Sequence, residues 1–120
     1  QLSNGVHAYR AQHPSPLDVV VLRVPFFLEP DYDTDESFEV SNLKRLRDKW
    51  GGAEQFEAQK RRHRLKERGH EVGIAHFNLE RRASNTLRSH VVVQHVSRTR
   101  GLRAAERLYG ELSVLHFEEG

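Results

Sequence analysis

The stretch LDVVVLRVPFFL, residues 17–28, decides the fold class of this sequence. Four of its residues are valines, and Arg23 is the one basic side chain among them. β-Branched residues in a short run are typical of strands, and a nearly continuous apolar run is typical of a strand covered on both faces in a parallel sheet. Because Pro25 cannot donate to a sheet, it ends the run. The sequence therefore predicts one well-formed, buried strand within Asp18–Phe27.

Outside this run the sequence predicts helices. Upstream, Pro14 and Pro16 stop a helix that we expect to end near HAYRAQHP. Downstream, apolar residues recur at helical spacing and glycines stand where helices end. The VVV run at residues 91–93 is also compatible with a strand, but its neighbours alternate poorly and helix is favoured. The predicted helices are FEVSNLKRLRDKW before Gly51, AEQFEAQKRRHRLKER before Gly69, NTLRSHVVVQHVSRTR ending at Arg100, and RAAERLYGELSVLHF ending at Phe117.

Composition limits the possible classes of protein. The 120 residues contain no cysteine, so the chain forms no disulfide and offers no thiolate. They also contain no methionine, and an opening of QLSNGVHAYR leads us to expect a piece of a longer protein. A net charge of +2 does not by itself indicate a polyanionic partner. No signal peptide or membrane span is predicted.

No metal site or standard catalytic motif is predicted. The eight histidines include no pair at i, i+4, which is the spacing that places two ligands on one helix face. Asp31, Asp33 and Asp35 imitate the start of a calcium loop. That loop needs glycine at its sixth position and glutamate at its twelfth, where this chain has Glu36 and Asn42. Gly-rich phosphate loops and G-x-S-x-G elbows do not occur.

A basic stretch, KRRHRLKER, occupies residues 60–68. On one continuous helix Lys60, Arg61, Arg64 and Arg68 would share an arc that could follow phosphates. However, Glu57 lies in the same arc, and no aromatic residue stands between the basic residues to stack on bases. A solvated helix face is favoured, and a nucleic-acid-binding helical module is kept as an alternative.

The stretch RASNTLRSH, residues 82–90, has two interpretations. Ser84 or Asn85 suits the N-cap of the following helix, since a short polar side chain can accept from a free backbone N–H. Alternatively, the amide of Asn85 and the hydroxyl of Thr86 could bind a ligand at that helix N-terminus. The capping role is favoured.

Five motifs in order resemble the FrnE-like branch of the DsbA family. VVVLRVPFFLEP is similar to the strand and loop of that family, and LRDKWGG to its helix ending in Lys-Tyr/Phe-Gly. EVGIAHF is similar to its Gly-Ile/Leu-x-Phe segment. SNTLRSHVV resembles its Asn-Thr-x-x-Ala/Ser-His-Arg helix start, and AAERLYGELSVLHFEEG its last helix. The resemblance runs from about Val19 to Gly120.

The resemblance implies an α/β parent with a thioredoxin-like fold and an inserted helical domain. This chain would then be mostly α with one buried β-strand: residues 1–30 would be a piece of the thioredoxin-like core, and residues 31–120 the helical insertion domain. The implied activity is thiol–disulfide oxidoreduction on a protein or small thiol/disulfide substrate, without a cofactor. A glutathione-dependent isomerase or transferase on the same scaffold is the alternative, with glutathione as its cofactor. The absence of cysteine favours a reducing, cytoplasmic compartment.

No catalytic residue of the family falls within this chain. Its Cys-x-x-Cys, or a serine in its place, precedes the segment that matches Val19–Leu28, and its cis-proline loop follows the last matching helix. The resemblance carries over only the Asn-Thr motif, which faces a substrate groove in the family: Asn85, Thr86, Ser89 and His90. Val91 stands where the family has arginine, so any substrate contact of that arginine is not carried over.

Overall fold

The computed structural model describes residues 2–15, 17–35 and 39–120. The described chain is mostly helical, as predicted. Helix α1 ends ahead of Pro14, and α2 begins at a Ser41 cap whose hydroxyl accepts from the Lys44 N–H at 3.4 Å. The predicted start of α2 at Phe38 lies outside the described residues. The helices are α1 (Leu2–Gln12), α2 (Asn42–Lys49), α3 (Ala53–His63), α4 (Leu65–Glu71), α5 (Leu87–Arg100) and α6 (Leu102–Val114), followed by one π-helical turn (Leu115–Glu119).

Residues 17–28, the apolar segment, do not form the predicted strand. Side chains from residue 18 to residue 24 alternate between exposed and half-buried positions, which is the pattern of an extended chain. Within the described residues, no backbone-to-backbone hydrogen bond joins residues 18–28 to another element. The prediction of a well-formed strand buried on both faces is therefore wrong. A strand needs a neighbouring backbone, and the described chain places none beside this segment.

The sheet that does form joins two segments the sequence did not indicate. Strands β1 (Val40–Ser41) and β2 (Arg82–Ala83) pair antiparallel, with Val40 opposite Ala83. Asn42, which directly follows β1, is only 1% exposed. Its backbone N–H donates to the Arg81 carbonyl oxygen at 3.1 Å, and its side-chain amide donates to the Leu79 carbonyl oxygen at 3.2 Å. These bonds hold α2 against the strand that leads to α5.

The long predicted helix over residues 53–68 is two helices. α3 ends at His63, and Arg64 adopts a left-handed conformation with φ 47° before α4 begins. The shared arc predicted for the basic residues is therefore wrong, because Lys60 and Arg68 lie on different helices. Gly69 does not end the second helix either. Gly73, with φ 88°, ends it: the Ile74 N–H donates to the Gly69 carbonyl at 2.9 Å and the Gly73 N–H to the His70 carbonyl at 3.1 Å.

Helices α5 and α6 form a hairpin at Gly101, whose φ is 83°. Val93 and Ala105 are its buried residues, at 5% and 3% exposure, and Phe56 at 2% is the other buried apolar side chain of the described chain. The molecule measures 52 × 33 × 20 Å with a radius of gyration of 17.1 Å. Among the described residues, no helix has the length and apolar character that crossing a membrane requires.

Candidate substrate groove

Asn85 links the start of α5 to the loop that follows the apolar segment. Its side-chain oxygen accepts from the Leu87 N–H at 2.8 Å, and its amide donates to the Tyr32 carbonyl. The helix begins at Leu87, with Thr86 in the N-cap position and no cap bond from the Thr86 side chain. Of the two residues predicted to meet the free N–H groups, Asn85 does so, from one position before the cap.

The other three predicted groove residues lie in the first turn of α5. The Ser89 hydroxyl donates to the Thr86 carbonyl at 2.8 Å, and the His90 N–H donates to the same carbonyl at 3.0 Å. The side chain of Thr86 is exposed. The Thr86 carbonyl and the Ser89 hydroxyl thus bond within the first turn of α5, whereas the side chains of Asn85 and His90 contact residues far away in the sequence.

The apolar segment lies along the face of α5 that carries His90. The His90 ring meets the Phe27 ring edge to face, with centroids 5.1 Å apart. One turn further along, the Gln94 side-chain amide donates to the Arg23 carbonyl at 2.7 Å. The His90 Nε2 is buried and has no hydrogen-bond partner among the described residues. These contacts pack the apolar segment against the face of α5 that carries His90 and Gln94.

Arg23 fixes the same segment to α6. Its guanidinium donates to both carboxylate oxygens of Glu106, at 2.8 and 2.7 Å, and lies 4.1 Å from the centre of the Tyr109 ring. The hydrogen bonds that Arg23 donates to Glu106 raise the pKa of Arg23, against the opposing effect of burial. The two-point bond is geometrically specific, since it matches the planar fork of arginine to a carboxylate. It sets which side chains of the segment face the helices.

The side chains that point the other way form an exposed apolar row. Its members are between 49% and 83% exposed: Val20, Leu22, Val24, Phe26 and Leu28. The row adjoins a backbone whose hydrogen-bonding groups have no strand partner within the described residues. An extended chain with this combination can pair through its backbone and bury alternate side chains against a further layer. The surface therefore suits β-strand pairing.

The groove holds binding groups and no nucleophile of the thiol class, since the chain has no cysteine. Among the residues that the structure describes, no three His, Asp or Glu side chains come together as possible metal ligands. Sequence reasoning did not find Gln94 or the role of Arg23. Their contacts join positions 71 and 83 residues apart, and no local pattern signals such a pairing.

Comparison with protein-family models, with curated proteins and with solved structures gave no match.

Proposed function

We propose that this chain is the helical portion of a FrnE-like thiol–disulfide oxidoreductase of the DsbA family, and that its α5 face lines the substrate groove of the complete protein. The substrate is a protein or small molecule carrying a thiol or a disulfide. The redox cysteines belong to a longer parent protein, so the 120 residues alone are inactive. A reducing, cytoplasmic compartment is part of the proposal, because the chain uses no cysteine of its own.

The observation that carries the proposal is the unpaired apolar segment. One side of it is covered by α5 and α6, its exposed side is apolar, and within the described chain residues 18–28 form no backbone-to-backbone hydrogen bond with another element. In an α/β protein, helices cover the faces of a sheet while neighbouring strands satisfy its edges. A strand from a thioredoxin-like core, seen without that core, would have these properties.

The order of the five motifs supports the family, and the groove contacts support the role of the Asn-Thr motif. His90 contacts the segment that the family would place in its central sheet, and Asn85 holds the loop that follows that segment. A groove between the inserted helices and that sheet would pass these two residues. Thr86, exposed at the start of α5, is free to contact a substrate there.

The chemistry of the proposed parent requires two cysteines. A thiolate attacks a substrate disulfide, the substrate thiolate leaves, and the second cysteine resolves the mixed disulfide by displacing the substrate. The first thiol needs a lowered pKa, which a helix N-terminus in a Cys-x-x-Cys provides. The two electrons come from the parent's dithiol, which dithiothreitol restores in an assay.

The deciding experiment reads the transcript on both sides of this chain and assays both proteins. We expect a Cys-x-x-Cys upstream of Gln1, insulin reduction by the parent in dithiothreitol, and no reduction by the 120-residue chain. The parent with its first cysteine changed to serine is the control and should be inactive.

A serine in place of the Cys-x-x-Cys would overturn this proposal in favour of the glutathione-dependent alternative. Such an enzyme takes its thiol from glutathione and needs only a hydroxyl to hold it. A parent with neither group would exclude both enzymes.

A further inference from the structure

A cleft of about 330 Å³ lies where α2, α3 and α4 meet, in a different part of the molecule from α5 and α6. Its floor is apolar: Leu46 and Trp50 come from the end of α2, Phe56 from α3 and Leu65 from α4. The Trp50 ring stacks on the buried Phe56 ring at a centroid distance of 5.7 Å. The volume lies at the small end of the range found for ligand pockets.

The rim of the cleft is basic. Four cationic side chains line it against two carboxylates, those of Glu57 and Glu67. Glu57 is engaged with Lys60 at 3.6 Å. The side chains of Arg61, Arg64 and Lys66 form no ion pair or side-chain hydrogen bond with any described residue. The four cationic side chains outnumber the two carboxylates, so the mouth of the cleft carries an excess of positive charge.

The left-handed turn at Arg64 brings these charges together. Arg64 is the one non-glycine residue with positive φ in the described chain, and an L-residue adopts this conformation at an energetic cost. The turn starts a new helix, so that Arg61 of α3 and Lys66 of α4 both line the same opening. Backbone strain of this kind is often found where a chain shapes a binding site.

We propose that the cleft binds a small amphipathic carboxylate, with its apolar body on Trp50 and Phe56 and its carboxylate at Arg61 and Lys66. The apolar floor selects against inorganic anions and sugars, whose hydration shells it cannot replace. The free cations at the mouth select a carboxylate over a neutral apolar molecule. This site is independent of the oxidoreductase proposal, because it uses no residue of the candidate substrate groove.

The test compares matched anionic and neutral probes on the 120-residue chain. Octanoate is paired with 1-octanol and 2-naphthoate with 2-naphthalenemethanol, and calorimetry measures each Kd. Trp50 is the only tryptophan, so a change in its fluorescence with octanoate reports occupancy of this cleft. We expect at least one carboxylate to bind with a Kd of about 100 µM and its alcohol about tenfold more weakly. Tighter binding of octanoate would indicate a ligand whose apolar part is an alkyl chain, and tighter binding of 2-naphthoate one whose apolar part is an aromatic ring.

Two double variants with the same net charge locate the site. Arg61→Gln with Lys66→Gln removes two lining cations, and we expect affinity for the carboxylate to fall about tenfold. Arg62→Gln with Arg68→Gln removes two exposed cations of the same helices that do not line the cleft, and affinity should stay within about twofold. Circular dichroism checks that both fold.

Three results would overturn the assignment: no saturable binding of either carboxylate at about 1 mM, equal affinity for the alcohols, or equal losses in the two double variants.

Discussion

At the start of α5, the side chain of Asn85 forms two hydrogen bonds with different structural roles. Its oxygen accepts from the free Leu87 N–H of the helix, and its amide group donates to the Tyr32 carbonyl and so holds that loop. Its neighbours do neither. Ser84 is exposed, and the Thr86 side chain makes no cap bond. The residue that satisfies the Leu87 N–H is thus also the residue that holds the loop after the apolar segment.

We expect Asn85→Ala to lower the free energy of unfolding by about 1 kcal/mol, because the Leu87 N–H loses its acceptor. Ser84→Ala is the matched control, and its effect should lie within about 0.5 kcal/mol of zero. Urea denaturation followed by circular dichroism measures both. Equal losses for the two variants would contradict the role given to Asn85. Unchanged stability in Asn85→Ala together with lost substrate binding by the parent would favour a ligand-binding role instead.

We expect the stability of the protein to depend on pH through His116. Partial burial of its ring, and secondly the positive charge of Arg81, lower the pKa of His116 below its ordinary value. The Arg81 Nε–H also donates to the His116 Nε2 at 3.2 Å, which requires a neutral ring. The unfolded chain therefore takes up this proton more readily than the folded protein. The stability that depends on the neutral ring is complete above the unfolded pKa of about 6.5 and is lost as pH falls through the lower folded value.

We expect the urea midpoint to fall between about pH 7.5 and about pH 5.5, and His116→Gln to reduce that difference. The exposed His76 provides the control, since His76→Gln should leave the difference unchanged. A pH dependence that survives intact in His116→Gln would show that another group is responsible.

At the scale of elements, the helices were predictable and their junctions were not. Ala105, Leu108 and Leu112 recur at helical spacing. This pattern can be read from neighbouring residues in the sequence, so the helix could be predicted. By contrast, β1 and β2 pair residues more than 40 positions apart, so neither segment signals its partner. The strand prediction for the apolar segment was wrong for the same reason: composition indicates an extended chain, while pairing depends on what lies beside it.

As with the helices, the local features of the candidate groove could be predicted from the sequence, and its long-range contacts could not. The Asn85 cap follows from a general preference of helix starts, and the structure has this side chain accepting from Leu87. The contact of His90 with Phe27 and that of Gln94 with Arg23 could not be predicted, because they form only when the apolar segment packs against α5. Arg64 was missed because arginine is a good helix former and its flanking residues favour helix as well.

The left-handed conformation of Arg64 leads to a prediction about the stability of the turn between α3 and α4. Arg64→Gly should raise the free energy of unfolding by about 0.5 to 1 kcal/mol, because glycine adopts positive φ without the steric cost. Arg64→Ala keeps the strain while removing the same side chain, and it should not stabilise the protein. Thermal and urea denaturation of the pair separate backbone from side chain. A destabilised Arg64→Gly would mean that the turn between α3 and α4 is not strained.

At the scale of the molecule, the chain is less compact than is usual for a folded protein of its length. Its radius of gyration is 17.1 Å, whereas about 14 Å is usual for 120 residues. It exposes 9303 Å², compared with about 6,700 Å² for a folded monomer of 13.9 kDa. Three apolar side chains among the described residues are buried, so the core is small. The open shape and the exposed apolar row agree with the proposal that a larger protein supplies part of the packing.

The basic stretch should not act as a nucleic-acid site. Its cations are divided between two helices, and Lys60 is paired with Glu57. We expect little binding to duplex or single-stranded DNA at about 150 mM salt in a fluorescence anisotropy titration. Submicromolar affinity with a log–log salt slope of about −0.9 per phosphate, abolished by Arg61→Glu with Arg64→Glu, would support the nucleic-acid alternative instead.

The way the apolar segment is anchored bears on aggregation. Charges beside an apolar window normally keep edges of separate molecules apart. Here those charges are Asp18, which accepts from Arg103, and Arg23, which is bonded to Glu106. Arg103 and Glu106 both lie on α6. Packing of the apolar segment against α6 therefore neutralises the charges of Asp18 and Arg23, while the apolar row stays exposed. Pro25 is then the remaining residue that interrupts stacking into fibrils, because it offers no N–H to an added strand. Within residues 17–28, resistance to pairing with a strand of another molecule therefore depends on Pro25.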